Sequence, residues 1–262
     1  VQSAMAASEK IFNLLDTKEF IEVPRTMVPP SERLTEVEFQ NVSFSYGQDS
    51  PVLKNVSFKI HHGEKIAIVG PTGAGKTTII SLLLRFYDKY TGRILLNGVD
   101  IREIPEEQLR RDIAVVFQDA FLFSRSVMEN LTFDRPEITE DRVHSVSKYL
   151  LAEPFIQQLP KGYQELLAER GSNLSFGQRQ LITFVRALAA DPSIVILDEA
   201  TSSVDVETEY VIRNSLQRLM HNRTAILIAH RLSRIQNVDR IFVLLDGELR
   251  EEGTHQELLT RG

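Results

Sequence analysis

An α/β fold built on a parallel sheet covered on both faces is what this 262-residue sequence predicts, and three observations predict it. Four short runs, Lys65–Val69 (KIAIV), Ile113–Phe117 (IAVVF), Ile194–Leu197 (IVIL) and Ala225–Ala229 (AILIA), are almost wholly apolar and rich in β-branched residues. Strands buried on both faces have that character, whereas half-exposed strands alternate. Each run gives way to polar residues: the Gly70–Thr78 loop, Gln118, the pair Asp198 and Glu199, and His230. Ligands of open α/β sheets bind beyond the carboxyl ends of the strands. The spacing between the runs turns helical. The expectation is one site at one edge of one sheet.

Along the chain, residues 1–16 read as a helix, because Val1, Met5, Phe12 and Leu15 recur at helical intervals. Pro24, Pro29 and Pro30 then break any continuation and mark a charged linker. From about Leu34 the pattern alternates. Val37 and Phe39, then Val42, Phe44 and Tyr46, predict two short half-buried strand pieces, and Val52–Ile60 predicts another. Between Asp119 and Leu174 the apolar spacing is helical, punctuated by Pro136, Pro154 and Pro160, and reads as a helical insertion. A further helix is expected from about Ser175 to Ala190, stopped by Asp191-Pro192. No internal repeat or low-complexity tract is visible.

Composition narrows the function. With 42% hydrophobic and 25% charged residues the chain is of globular type. A formal net charge of -6 argues against a nucleic-acid binder, which needs a basic face. The absence of cysteine excludes disulfides, thiolate metal sites and a cysteine nucleophile. No apolar run reaches the ~18–20 residues that cross a bilayer. The longest, Leu181–Ala190, is short and interrupted by Arg186. No secretory signal is present. A chain starting at Val1 is expected to be a piece of a longer polypeptide.

Gly70-Pro71-Thr72-Gly73-Ala74-Gly75-Lys76-Thr77-Thr78 matches the G-x-x-x-x-G-K-[ST] pattern of a phosphate-binding loop. Glycine lets the backbone turn several N–H groups toward one phosphate chain, and the helix that follows adds the positive end of its dipole. Lys76 supplies a mobile charge for the terminal phosphates, and the Thr77 hydroxyl suits Mg²⁺. The expected location after a strand and before a helix favours this reading over a ligand-free glycine turn.

Phosphoryl transfer also needs a carboxylate near the metal and a group that orients the attacking water. Asp198 is assigned to the Mg²⁺ side, through bound water, and Glu199 to the general base. Alone, an Asp-Glu pair reads equally well as the N-cap of the next helix; the phosphate loop tips the balance. Gln118 and His230, taken singly, read as plain strand-end residues, and Tyr46 as either a β-face aromatic or a stacking platform for adenine. Histidines 61, 62, 144, 221 and 255 read as surface. Leu174-Ser175-Phe176-Gly177-Gln178 opens a helix 99 positions after Lys76. In isolation it is an ordinary N-cap, and it is also a second potential anion site.

Taken together, the phosphate loop, Gln118, LSFGQ at 174–178, the strand with Asp198-Glu199, Ser203-Val204-Asp205 and His230 stand in the order found in ABC ATPase domains. From about Leu34 onward the chain resembles that family. Glu169-Arg170-Gly171 is similar to the exporter-type loop that senses the membrane domain, and residues 1–16 resemble the stretch joining an exporter's last membrane helix to its ATPase.

The resemblance implies a P-loop NTPase (RecA-like) core with a small antiparallel β-subdomain and an inserted α-helical subdomain at about 119–190. It implies a linker at 1–33 from a transmembrane domain and an ATPase domain at 34–262. Two such domains, identical or not, would pair head to tail around two ATP molecules. Each site would use Tyr46, the phosphate loop, Gln118 (also a Mg²⁺ ligand linking to the membrane domain), Glu199 and His230, which would hold the γ-phosphate. Ser175, Gly177, Gln178 and Asp205 would come from the partner. Export across a membrane, from its cytoplasmic face and in particular that of the plasma membrane, with the isolated domain soluble, is the implied function. Phe176 stands where the commonest signature has glycine, with Ser175 and Gly177 keeping the expected contacts.

Soluble relatives of the translation or DNA-maintenance type are the alternative. The latter would carry a long coiled coil between the two phosphate motifs, and no sustained heptads occur there. The translation type would have two ATPase domains in one chain. A GTP switch would need Asn-Lys-x-Asp, which is absent, and a non-hydrolysing module would be expected to lack Glu199 or His230.

Overall fold

The structure, a computed structural model, describes residues 2–16, 33–47, 51–117, 119, 121–198, 206–229 and 238–261. Most of the expected linker, with Pro24, Pro29 and Pro30, lies outside the described residues, as do Gln118, Glu199, Asp205 and His230.

Helix α1 (Gln2–Asp16) meets the expectation of an N-terminal helix. Strands β1 (Val37–Phe44) and β2 (Leu53–Ile60) follow. The two strand pieces expected around residues 37–46 are one strand with a bulge. Phe39 and Val42 are both buried although an odd number of positions apart, so strict alternation would send one of them outward. Register shifts on both sides of β1, with Asn41 in the left-handed region at φ 50°, absorb the extra residue. Strand β3 (Lys65–Val69), helix α2 (Lys76–Leu83) and the hairpin β4 (Thr91–Leu96) and β5 (Val99–Asp100) complete the first third. A four-stranded antiparallel sheet results, ordered β2-β1-β4-β5.

Helix α3 (Glu106–Asp112) leads into β6 (Ile113–Val116). Helices α4 (Val127–Thr132), α5 (Glu140–Tyr149) and α6 (Glu153–Gln158) form the expected helical insertion. Helix α7 (Phe176–Ala189), strand β7 (Ile194–Asp198), helix α8 (Val206–Met220) and β8 (Thr224–Ala229) return the chain to the sheet. Strands β9 (Arg240–Leu245) and β10 (Glu248–Gly253) and helix α9 (His255–Arg261) end it. The second sheet is ordered β10-β9-β3-β8-β7-β6, with β9, β3, β8, β7 and β6 parallel. All four apolar runs are therefore neighbouring parallel strands. β9, with its RIFVLL run, is a fifth parallel strand of the same kind, beyond the four expected.

Burial on both faces is literal. Ile194 and Ile196 of β7 join a core with Ile66, Ile226 and Phe242, beneath the antiparallel sheet. Val195 and Leu197, pointing the other way, join a core with Phe184, Val185 and Leu188 of α7. Fully burying one such aliphatic side chain is worth ~1.5–3 kcal/mol.

The chain enters the sheet through a dense set of contacts. Arg33 donates to the Asp191 carboxylate at 2.6 Å, and the Leu34 N–H donates to Asp112 at 3.1 Å. Thr224 donates to the Thr35 carbonyl at 2.6 Å, and the N–H groups of Thr35 and Glu36 both donate to the Asn97 side chain. Asp191 also meets Arg142 and Arg223. Burial works to raise the Asp191 pKa, but the Arg33 hydrogen bond and the three guanidinium charges outweigh it and hold the carboxyl below its ordinary range.

Candidate nucleotide site

The phosphate loop lies between β3 and α2, where the motif requires it. Two of its glycines are demanded by their surroundings. A Cβ on Gly70 would lie 2.1 Å from the Leu244 carbonyl oxygen at the end of β9. Gly75, the residue before α2, has φ 102°, and a Cβ there would lie 2.6 Å from Leu53 Cδ2. The loop is thus clamped between β9 and the start of β2, with α2 leaving from its end.

Lys76 opens α2 and is 4% exposed, its ammonium donating to the carbonyls of Gly70 (2.8 Å) and Pro71 (2.9 Å). The charge is held over the loop by two weak neutral acceptors, a contact that phosphate oxygens can outbid. Thr77 is exposed at the first turn, while Thr78 is buried and its hydroxyl lies 3.0 Å from that of Tyr46. Pro71, Thr72 and Gly73 face solvent, and Ala74 packs inward.

Asp198 ends β7, half-buried, in register with Ile228 of β8, while Val69 of β3 is in register with Ala229. The phosphate loop and Asp198 therefore start from the same edge of the sheet, two strand spacings or about 10 Å apart. Glu199 and His230 directly follow the last residues of β7 and β8 in sequence. The structure brings Tyr46 to the first turn of α2 and sets the phosphate loop and Asp198 at one edge of the sheet.

Ser175 caps α7 in a reciprocal box, its hydroxyl accepting from the Gln178 N–H (3.2 Å) and Gln178 accepting from the Ser175 N–H (2.9 Å). Gly177 has a packing role that the sequence did not disclose. A Cβ there would lie 2.2 Å from Thr208 Cγ2, so α7 and α8 approach only because residue 177 is glycine. His144 is half-buried and its ring packs on Tyr163 at 4.3 Å, which corrects its reading as plain surface.

Beside the outer edge of β6 lies a cleft of about 240 Å³ lined by Val115, Phe117, Phe121, Phe133 and Arg186, among others. Its wall is held by polar contacts that the sequence did not signal. Arg186, the charge inside the longest apolar run, donates to the carbonyls of Phe121 (3.0 Å) and Asn130 (2.8 Å) and to the Asn130 side chain (3.0 Å). Burial pushes its pKa down to about 10. Asn130, 1% exposed, in turn accepts from the Phe123 N–H and donates to the Phe123 and Ser126 carbonyls. Asn130→Ala is expected to destabilise the chain by ~2–4 kcal/mol, because several part-buried groups lose their partners together. Urea unfolding checks this; a loss below ~0.5 kcal/mol would show that the wall stands without it.

Among the described residues no helix is long and apolar enough to cross a membrane.

A family model described as ABC transporter matches residues 53–202. The chain is 44% identical over 257 residues to the ABC transporter ATP-binding protein YfiC of Bacillus subtilis, covering 98% of this chain and 42% of that protein. It is 43% identical over 262 residues to a fatty acid ABC transporter ATP-binding/permease protein of Mycobacterium bovis, covering all of this chain and 41% of that one. A solved bacterial Atm1-family ABC exporter with ATP bound superposes with a TM-score of 0.85 at 38% identity, over 99% of this chain and 46% of that chain. The chain thus spans less than half the length of each.

Proposed function

The chain belongs to the ABC transporter family, and from that premise we propose that it binds and hydrolyses ATP to drive export of a substrate across a membrane. Its α/β architecture is that of an ABC ATPase with a P-loop NTPase core. The observation that carries the proposal is the phosphate loop clamped beside β9, with Lys76 over it and Asp198 leaving the same sheet edge.

In this reading Tyr46 stacks on the adenine, and the N–H groups of residues 70–78 and the Lys76 ammonium bind the phosphate chain. The donor set suits Mg²⁺: an exposed Thr77 hydroxyl and, through water, the Asp198 carboxylate are hard oxygens, with Gln118 as a further ligand. When bound, the ion neutralises charge on the β- and γ-phosphate oxygens. Glu199 takes the proton of the attacking water, and His230 holds the γ-phosphate.

A second ATPase domain closes the site with Ser175, Gly177, Gln178 and Asp205. The capped N-terminus of α7 supports this, since its dipole favours an anion. Residues 1–33 connect to a transmembrane domain, residues 34–262 are the ATPase unit, and about 119–190 its helical lobe. The apolar and basic cleft beside β6 supports docking of that membrane domain. The ATPase unit works at the cytoplasmic face of the membrane.

The test is phosphate release from ATP by the purified chain. Release is expected with Mg²⁺ and is expected to stop when EDTA removes it, while nucleotide protection against heat unfolding weakens. A chain that neither binds nor cleaves ATP with Mg²⁺ present would sink the proposal.

A further inference from the structure

The rings of Phe44, Tyr46 and Tyr87 form a closed triangle. Tyr46 meets Phe44 edge-on at 4.9 Å and 85°, and Tyr87 edge-on at 5.3 Å and 81°, while Phe44 and Tyr87 are 5.2 Å apart. Phe44 is buried and forms the base, whereas Tyr46 is 55% and Tyr87 42% exposed. Both perpendicular contacts fall on Tyr46 and limit how its ring can turn. The edge-to-face preference of aromatic pairs makes such a constraint favourable rather than merely steric.

Tyr87 is itself held rigidly. Just after α2 the chain reverses at Arg85, which has φ 55°. The buried Arg85 guanidinium donates to Asp88 at 3.0 Å and to the Ile104 carbonyl at 3.0 Å. The Phe86 N–H closes the turn onto the Ser81 carbonyl at 2.9 Å. Tyr87 is therefore presented by a pinned turn at one end of the helix whose other end is the phosphate loop. In the first turn of that helix, the Thr78 hydroxyl meets that of Tyr46. Helix α2 thus fixes the phosphate loop and, through Thr78 and Tyr87, the orientation of the Tyr46 ring.

We propose that Tyr87 is a positioning residue that orients the ring of Tyr46 for the base of a bound nucleotide, so that base and phosphates are read from one rigid helix. This rests on the reading of Tyr46 as the stacking platform. Tyr87 acts through Tyr46 and needs only its ring, not its hydroxyl, to do so.

The experiment measures binding of ATP and of inorganic tripolyphosphate, which has no base, to the purified chain. Tyr87→Ala is expected to weaken ATP about 2- to 10-fold, the value of one aromatic pair. It should leave tripolyphosphate unchanged, and Tyr87→Phe should bind ATP as the unsubstituted chain does. Tyr46→Ala is the reference and should weaken ATP at least as much. Unchanged ATP binding in Tyr87→Ala would overturn the proposal, as would equal weakening of ATP and tripolyphosphate, or failure of Tyr87→Phe to restore binding. If Tyr46→Ala itself leaves ATP affinity unchanged, the stacking reading fails first.

Discussion

Glu199→Gln is expected to lower the rate of ATP hydrolysis by a factor of about 10² to 10⁴ while ATP still binds. The substitution keeps the size and planarity of the side chain and removes its basicity. The residue before it, Asp198, stands at the end of β7, two strands from the phosphate loop. Glu199 follows Asp198 directly in the chain, and the proposed role of base would place its carboxylate near a γ-phosphate held by Lys76. In the proposed site binding rests on the loop and Tyr46, so it should survive. If ATP also joins two copies, the variant should accumulate as an ATP-bound dimer, seen as a faster-eluting species on gel filtration. Hydrolysis at the unsubstituted rate would remove Glu199 from the role of base.

Lys76→Met fails at the earlier step. Its ammonium lies over the loop on two carbonyls, and hydrogen bonds to charged groups contribute ~1.5–3 kcal/mol each. Losing even one such contact to the phosphates weakens ATP by about 10- to 100-fold, and turnover falls with it. Methionine fills the space of the lysine stem but leaves the Gly70 and Pro71 carbonyls without their donor, so the weakening of ATP is read from direct binding rather than from the melting temperature. A variant that binds ATP normally would show that the loop's backbone alone holds the phosphates.

How much of this could be read from the residues varies by feature. KIAIV, IAVVF, IVIL and AILIA carry their parallel order openly, because burial on both faces forbids polar residues. The phosphate loop was equally open, since Gly70 and Gly75 sit where any side chain would strike backbone or core. The bulge at Asn41 was hidden because a slip of one position in the alternation looks like two strands. In the sequence Gly177 reads as part of a second potential anion site, yet its contact with Thr208 depends on a helix folded from residues far along the chain. Arg186 stands out in the sequence only as the charge interrupting an apolar run, and Asn130 and Tyr87 carry no signal, because each acts through partners that only the tertiary fold supplies. Gln118, Glu199, Asp205 and His230 remain assignments from motif order.

The contacts made by residues 33–36 have a mechanical consequence. Asp112 immediately precedes β6, Asp191 closely precedes β7, and Thr224 is the first residue of β8. Each of these anchors therefore sits at the amino edge of the parallel sheet, and the phosphate loop and Asp198 sit at the carboxyl edge. Between the two run strands of four to six residues, stiff struts about 13–20 Å long. Tension arriving along the chain ahead of Arg33 would load the struts from below, and a recoil of the strand tips around the triphosphate would travel back down the same rods.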